Sequence, residues 1–295
     1  MSLTIGIPFY NAEPFLADAI RSVFAQTYQD WELILVNDGS TDRSLDIAMS
    51  VKDPRVRVLS DKQNRRLPYR LNQITSEASY DLIARMDADD LISPTRFAKQ
   101  VEILDTNAGV DIVTTGICSI SNRNQPIGVR GGISAGGITG RKLVLGQCAV
   151  VHAAMVGRRA WFLRNPYNES ANRMEDYDLW LRTYRNNDFN LFIMGDPLYY
   201  YREELNVTSQ RQLIAYAGQR QLMKEYGPLW FAGYEVKLMI AKSHCKSLAV
   251  RVFAACNRMD VLLNHRNSSI EDLDLLAHFN TEIKQILRTR VPGFD

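Results

Sequence analysis

The chain is poor in cysteine: four in 295 residues, Cys118, Cys148, Cys245 and Cys256. None forms a CxxC pair, which argues against a structural zinc site and against a disulfide scaffold, and leaves reduced thiols as the expectation. No stretch reaches the roughly 18 uninterrupted apolar residues of a membrane-spanning helix. The opening residues, MSLTIGIPFYN, place no basic segment before a long apolar core, so no signal peptide is read. Net charge is only +2, so the molecule as a whole is not a polyanion binder. Neither a basic groove signal nor a recognisable nucleic-acid motif is present, and nucleic acid is not an expected partner. What remains is an ordinary globular composition, 46% hydrophobic and 23% charged. The expected location is cytoplasmic, either free or peripheral on the inner face of the membrane.

The first third alternates between two patterns. Residues 3–8 are a short apolar run ending in proline, and Leu16, Ile20, Val23 and Phe24 follow with helical spacing. Residues 33–36 are apolar at every position, which suits a strand buried on both faces of a parallel sheet. Ser40 and Thr41 are good caps for a helix through about residue 50. A third strand is expected over 56–59, a helix over 67–78 and a fourth strand over 80–86. This alternation with short connections predicts an α/β fold, a doubly wound, mostly parallel sheet flanked by helices. Ligands of such sheets bind beyond the carboxyl ends of the strands. The loops beginning at Pro8, Asn37 and Asp87 are therefore the ones to examine.

Further along, 94–106 reads as a helix, 111–121 as strand-like, 153–157 as a strand, 177–185 as a helix and 189–194 as a strand. Residues 128–140 hold six glycines and are expected to be a mobile loop, either gating a substrate or simply untethered. From Gln210 onward only helical patterns occur. The chain accordingly divides into 1–209, a sheet domain, and 210–295, a helical extension.

Two loops carry chemistry. Asp87 and Asp89 follow the fourth strand, and carboxylates two apart in an extended segment point the same way. Hard carboxylate oxygens suit Mg²⁺ or Mn²⁺, which bind phosphates with only one or two protein carboxylates. A solvated acidic turn, or a cap for the helix near Pro94, is the competing reading. Asp38 follows the second strand, where its carboxylate can accept the imide N–H of a uracil ring and Gly39 permits a tight turn. Turn-shaping and helix capping by Asp38 and Ser40 compete with that reading.

Taken in order, Ile7-Pro8-Phe9-Tyr10-Asn11, Val36-Asn37-Asp38-Gly39-Ser40-Thr41-Asp42, Leu71-Asn72, Ala84-Arg85-Met86-Asp87-Ala88-Asp89-Asp90 and Pro94 with Arg96-Phe97 resemble the family 2 inverting glycosyltransferases of the GT-A fold. The resemblance is to the bacterial surface-polysaccharide type (lipopolysaccharide, capsule or exopolysaccharide) and covers about residues 3–205. It implies that Asp38 reads the nucleotide base and that Pro8, Tyr10 and Asn11 line the base pocket. Asp89 would hold a Mn²⁺ or Mg²⁺ ion. Asp87 would lie nearer the ribose and diphosphate, sharing in the metal, with Ala88 among the donor contacts. The implied donor is a nucleotide-diphosphate sugar, with uridine diphosphate favoured. The implied acceptor is a hydroxyl of a saccharide or lipid-linked saccharide.

The resemblance extends to Glu175-Asp176-Tyr177-Asp178-Leu179-Trp180, the segment that carries the general base at Asp176. Acids at a helix start also favour the helix dipole without any catalytic role. A single displacement needs one carboxylate within about 3 Å of the attacking hydroxyl and a cation on the leaving diphosphate. Glu175 and Trp180 are expected on the substrate side. His152, in a His-Ala pair where relatives often have His-Pro, is either a substrate contact or structural. Arg66 stands where the family commonly has glycine, and either reaches the diphosphate or is an ordinary exposed arginine. Tyr201-Arg202 resembles the family's closing Tyr-Arg. The histidine that often follows is absent, with Glu203, Glu204 and Asn206 in its place, which leaves the metal with as few as one direct protein ligand. A non-catalytic nucleotide-sugar- or carbohydrate-binding partner retaining the fold is the alternative, disfavoured because Asp89 and Asp176 are both present.

Between residues 210 and 266 nine basic residues face three acids. Residues 230–263 mix those charges with Trp230, Phe231, Leu238, Leu248 and Val252. They read as helices packing on the sheet domain, or as a basic apolar face for a membrane surface.

Overall fold

The computed structural model describes residues 1–131, 137–147, 150–171, 173–203, 209–256 and 270–294. The larger of its two sheets contains β1 (Leu3–Phe9), β2 (Trp31–Asn37), β3 (Val56–Ser60), β4 (Leu82–Arg85), β6 (Ile112–Thr114), β9 (Val156–Arg158) and β10 (Leu191–Ile193). Their order is β10-β6-β9-β4-β1-β2-β3. Every pairing is parallel except those of β9, which runs antiparallel to both β4 and β6. All seven residues of β1 and of β2 are buried, as an apolar run covered on both faces requires.

Alternate residues of these strands feed two cores. Leu3, Ile5, Ile7 and Phe9 of β1 and Trp31, Leu33 and Leu35 of β2 meet α1 (Leu16–Phe24), α2 (Ser44–Ser50) and α4 (Arg96–Thr106). Ile34 and Val36 face the other way. They join a core with α3 (Arg66–Glu77), α5 (Gly140–Val144), α6 (Arg159–Arg164), α7 (Glu175–Arg185) and α8 (Ser209–Tyr226). The expected α/β architecture, a mostly parallel sheet flanked by helices, is therefore the observed one.

A second sheet was not anticipated. β5 (Leu91–Ile92), β7 (Ile117–Ile120), β8 (Pro126–Arg130) and β11 (Tyr199–Arg202) form it in the order β5-β11-β7-β8. Its underside is covered by α10 (Leu273–Arg288), whose Phe279, Ile283 and Ile286 pack on Leu91, Cys118, Ile120 and Tyr200. Beyond α10, Val291 enters the main core and Pro292 O accepts from Lys52 N at 2.7 Å. The other late helices, α8 and α9 (Gly233–Ala255), pack side by side elsewhere. There Trp230 lies edge-on to Tyr184 of α7 and Glu235 pairs with Arg141 of α5 at 3.0 Å. The residues beyond 209 thus divide between two places on the sheet domain.

Several local expectations are corrected. The strand expected over 111–121 is two strands in different sheets, separated at Thr115-Gly116; a Cβ at Gly116 would stand 3.1 Å from Gly195 O. Of the glycine-rich 128–140 segment, Gly128-Val129-Arg130 belong to β8, and Gly140 opens α5 after the Thr139 cap, where any side chain would strike the Trp230 indole. Residues 132–136 lie outside the described residues. Ser40 and Thr41 do not cap α2. Asp42 accepts from Ser44 N at 3.0 Å instead, while Ser40 and Thr41 hold the neighbouring loop. Cys118, Cys245 and Cys256 are free thiols, and Cys148 lies outside the described residues. Among the described residues no helix is long and apolar enough to cross a membrane.

Candidate active site

The loops after β1 and β2 are sewn together. Asn11, at φ +48°, accepts through Oδ1 from Thr41 N at 2.8 Å, and its own N–H donates to Ser40 Oγ at 3.1 Å. Asn is among the residues that tolerate this left-handed conformation. Pro8 is buried in β1 opposite Val36, and Tyr10 stands exposed just beyond the strand.

Asp38 is held from three sides. Its Oδ1 accepts from Arg65 N at 2.7 Å and from Arg70 Nε at 2.8 Å, and its Oδ2 accepts from Arg66 N at 3.1 Å. A carboxylate at the start of α3 is favoured by that helix's exposed N–H groups. Arg70, buried, also grips Asp61 and holds that carboxyl below the usual range through its hydrogen bond. Arg66 adopts φ +70°. This is the conformation that glycine takes without penalty, so the departure from the family's glycine carries strain. The Arg66 side chain is exposed.

The acidic loop begins where β4 ends. Asp87 Oδ1 accepts from the buried Arg85 guanidinium at 2.7 Å, and Asp87 N donates to Tyr199 Oη at 3.1 Å. Arg202 pins the rest: its N–H donates to Asp90 Oδ1 and its Nε to Asp89 O, both at 2.7 Å. Burial, then the charges of Asp89 and Asp87, push the Asp90 carboxyl well above the usual range. The chain turns at Ala88-Asp89 rather than staying extended. The extended segment that the period-two reading assumed is therefore interrupted between Asp87 and Asp89. Ala88, expected among donor contacts, is buried in the core beneath the loop.

A cavity of about 860 Å³ opens beside Asp87. Arg85, Asp87, His152, Tyr201 and, from the start of α7, Glu175 and Asp176 are among its lining residues. Four of the expected site residues, Asp87, His152, Glu175 and Asp176, are thus brought together. Pro8, Tyr10, Asn11, Asp38 and Arg66 sit on the neighbouring loops, outside this cavity's lining, and Asp89 is likewise outside it. Leu67, one residue after Arg66, does line it and joins the two regions.

The electrostatics are those of a buried charge cluster. Burial and the charge of Asp176 push Glu175 up to about 7, against the pull of its own N–H and of Arg85. Burial also raises Asp176, opposed by Tyr177 N–H, which donates to its Oδ1 at 2.8 Å, and by Arg85. Burial disfavours the Arg85 cation, but the surrounding charges, led by Asp87, outweigh it and keep it protonated. Its Nε is buried and has no hydrogen-bond partner among the described residues. An N–H left this way costs free energy unless a ligand oxygen takes it. Burial, then Arg85, push His152 well below the usual imidazole value, so it is neutral. Its Nε2 lies 2.8 Å from Tyr167 Oη.

Trp180, expected to touch substrate, is corrected to a core residue. It is 1% exposed and packs edge-on beneath His152 with ring centroids 5.6 Å apart. Two arginines escaped the sequence reading. Arg85 had a positional signal, the last strand position before the acidic loop. Arg70 had none beyond lying one residue before Leu71-Asn72.

Asp87 and Asp89 supply hard oxygen donors at a strand end, a set that fits a cation taking one or two protein carboxylates and completing its shell with diphosphate and water. Among the described residues no group of three His, Cys, Asp or Glu is placed to hold a metal by itself. Glu203, one replacement for the family's histidine, is engaged by Arg130 at 2.6 Å. Glu204 and Asn206 lie outside the described residues.

Residues 4–165 match a family model described as glycosyl transferase family 2. A Bacillus subtilis protein named as a glycosyltransferase, EpsE, is 33% identical over 217 residues, 72% of this chain and 76% of its own length. The Escherichia coli UDP-Glc:alpha-D-GlcNAc-diphosphoundecaprenol beta-1,3-glucosyltransferase WfgD is 28% identical over 193 residues, 65% of this chain and 74% of its own. Among solved structures, S. aureus TarS 1-349 in complex with UDP superposes with a TM-score of 0.59 over 98% of this chain and 81% of that one. At 16% identity this likeness speaks for the fold.

Proposed function

The chain belongs to glycosyl transferase family 2, and from that premise we propose that it is a metal-dependent inverting transferase using a uridine diphosphate sugar. The acceptor is a hydroxyl of a saccharide or lipid-linked saccharide in surface polysaccharide assembly. One observation carries this reading: a single cavity is lined by Arg85 and Asp87 and by the Glu175-Asp176 pair. Groups suited to phosphate charge and a carboxylate suited to act as a base thus share one cavity, which supports the reading. The donor and acceptor classes in WfgD's name, and the UDP bound by TarS, support the choice of substrates.

In this reading the nucleotide lies along the loops after β1 and β2, beside Asp38. Asp87 and Asp89 would hold the cation. When bound, the cation neutralises charge growing on the leaving diphosphate. The acceptor hydroxyl enters the cavity from the α7 side, and Asp176 takes its proton. The acceptor oxygen bonds to the anomeric carbon as the bond from that carbon to the diphosphate breaks on the opposite face. Arg85 favours the ionised form of Asp176 despite burial. Its free Nε–H is available to a donor or acceptor oxygen. Neutral His152 contributes shape and hydrogen bonding rather than charge.

The test is a thermal-shift panel of nucleotide diphosphates and their sugars, with and without Mn²⁺, followed by transfer assays. Stabilisation by a uridine diphosphate sugar only with Mn²⁺ is expected. Asp176→Asn should keep that stabilisation and lose transfer, whereas Asp89→Ala should lose the Mn²⁺-dependent part. An Asp176→Asn enzyme that still turns over removes Asp176 as the base. Absence of any nucleotide-dependent shift refutes the donor assignment.

A further inference from the structure

Helix α9 buries one side within the fold and carries an exposed apolar row on the opposite side. Val236, Ser243, Ser247 and Val250 are its buried residues. Along this seam Arg220 of α8 donates to Ser247 Oγ at 2.9 Å and to Ser243 Oγ at 3.3 Å. The opposite side carries Tyr234, Leu238, Ala241, Cys245, Leu248 and Val252, at alternating spacings of four and three that keep them in one row on a helix. These are not marginal exposures: Tyr234 is 75%, Leu238 53%, Leu248 62% and Val252 53% exposed. The row is about 27 Å long at 1.5 Å per residue.

Its borders are basic. Lys237, His244 and Arg251 run along one edge, and Lys242 and Lys246 along the other, all exposed. The one acid in α9 is Glu235, which is committed to Arg141 and to the Ala232 N–H at the helix start. A 4-3 spaced apolar row is also the seam of a coiled coil. A second copy of this chain, however, would bring like-charged edges together, which disfavours self-pairing. An anionic bilayer surface offers the complement to both features: acyl and headgroup boundary for the apolar row, and negative charge for the lysines and arginine.

We propose that the exposed face of α9 is a docking surface for an anionic lipid bilayer, with the helix lying in the plane of the interface. α9 packs on α8, and α8 contacts α5, so docking would hold the sheet domain against the bilayer through these helices. This surface is independent of which sugar is transferred, and its test does not involve catalysis.

The experiment is flotation of the full chain with phosphatidylglycerol–phosphatidylcholine vesicles, compared with phosphatidylcholine alone. Wild type should float with the anionic vesicles, less so in high salt, and poorly with the neutral ones. Leu238→Gln with Leu248→Gln, and separately Lys237→Gln, Lys242→Gln, Lys246→Gln and Arg251→Gln together, should each weaken partitioning about tenfold or more. All six positions are exposed, so unchanged melting temperatures serve as the control for folding. Failure of wild type to bind anionic vesicles overturns the proposal, as does wild-type binding by both variants. A dimer by light scattering that Leu238→Gln with Leu248→Gln converts to a monomer would assign the face to a second copy instead, and also overturns it.

Discussion

Glu175→Gln should stabilise the protein most at alkaline pH and progressively less as the pH falls. Burial and the adjacent Asp176 charge raise the Glu175 carboxyl from 4.5 to about 7. The folded state therefore binds this proton more tightly than the unfolded chain, and stability falls as pH rises from 4.5 through about 7. That interval, at about 1.4 kcal/mol for each pH unit, amounts to about 3 kcal/mol above pH 8. At pH 5.5 the folded carboxyl is already protonated, and the remaining difference is about 1 kcal/mol. Glutamine keeps the shape and hydrogen-bonding capacity of the protonated acid without the charge. Its advantage over glutamate should shrink by about 2 kcal/mol between pH 8 and pH 5.5. Urea denaturation of both proteins at the two pH values measures this directly, and Asp176 titrating alongside makes the figure an upper bound. An advantage of the same size at both pH values, or a variant less stable than wild type at pH 8, would refute the reasoning. Such a variant is expected to be sturdier and a worse enzyme, the usual exchange where charge is buried for function.

Arg66→Gly should raise stability by up to about 1 kcal/mol, because a left-handed residue other than glycine carries a penalty of about that size; denaturant midpoints check it. The same substitution should raise the KM for the donor if the guanidinium reaches the diphosphate, so stability and binding move in opposite senses. Arg85→Met should destabilise by about 3 kcal/mol or more, since it leaves Asp87 and the Glu175-Asp176 pair without their buried counter-charge; a melting temperature equal to wild type would contradict that.

The start of the large sheet was legible because β1 and β2 are buried, mostly apolar runs of seven residues and the first helix has clean periodicity. The 33–36 run became β2, with all seven of its residues buried. The small sheet was not legible. β5 has two residues, and β8 begins at a proline and runs into glycine-rich sequence. Each finds its identity only in its partners. The antiparallel sense of β9 is likewise a tertiary fact, absent from local pattern. In the site, the carboxylate motifs were readable because several of them stand in order along the chain. Arg85 and Arg70 were not, because arginine is exposed by default and a buried one is recognised only by the acids around it. Trp180 misled for a related reason: one helical turn after Asp176 it shares that face, yet it lies below His152 in the core.

The route by which the acidic loop is braced makes the site late in time. Asp87, Asp89 and Asp90 are tied down by Tyr199 and Arg202, on a sheet whose underside is closed by Phe279, Ile283 and Ile286. A growing chain presents its N-terminal residues first, at about 5–20 residues per second. The loop is complete as sequence by residue 90, but its support arrives about 190 residues later (279 − 90), a delay on the order of 10–40 s. During that interval the nascent protein carries its acidic loop without the complete support that later fixes it. Under the proposed function, competence would wait for synthesis of α10, long after the acidic loop itself has been made.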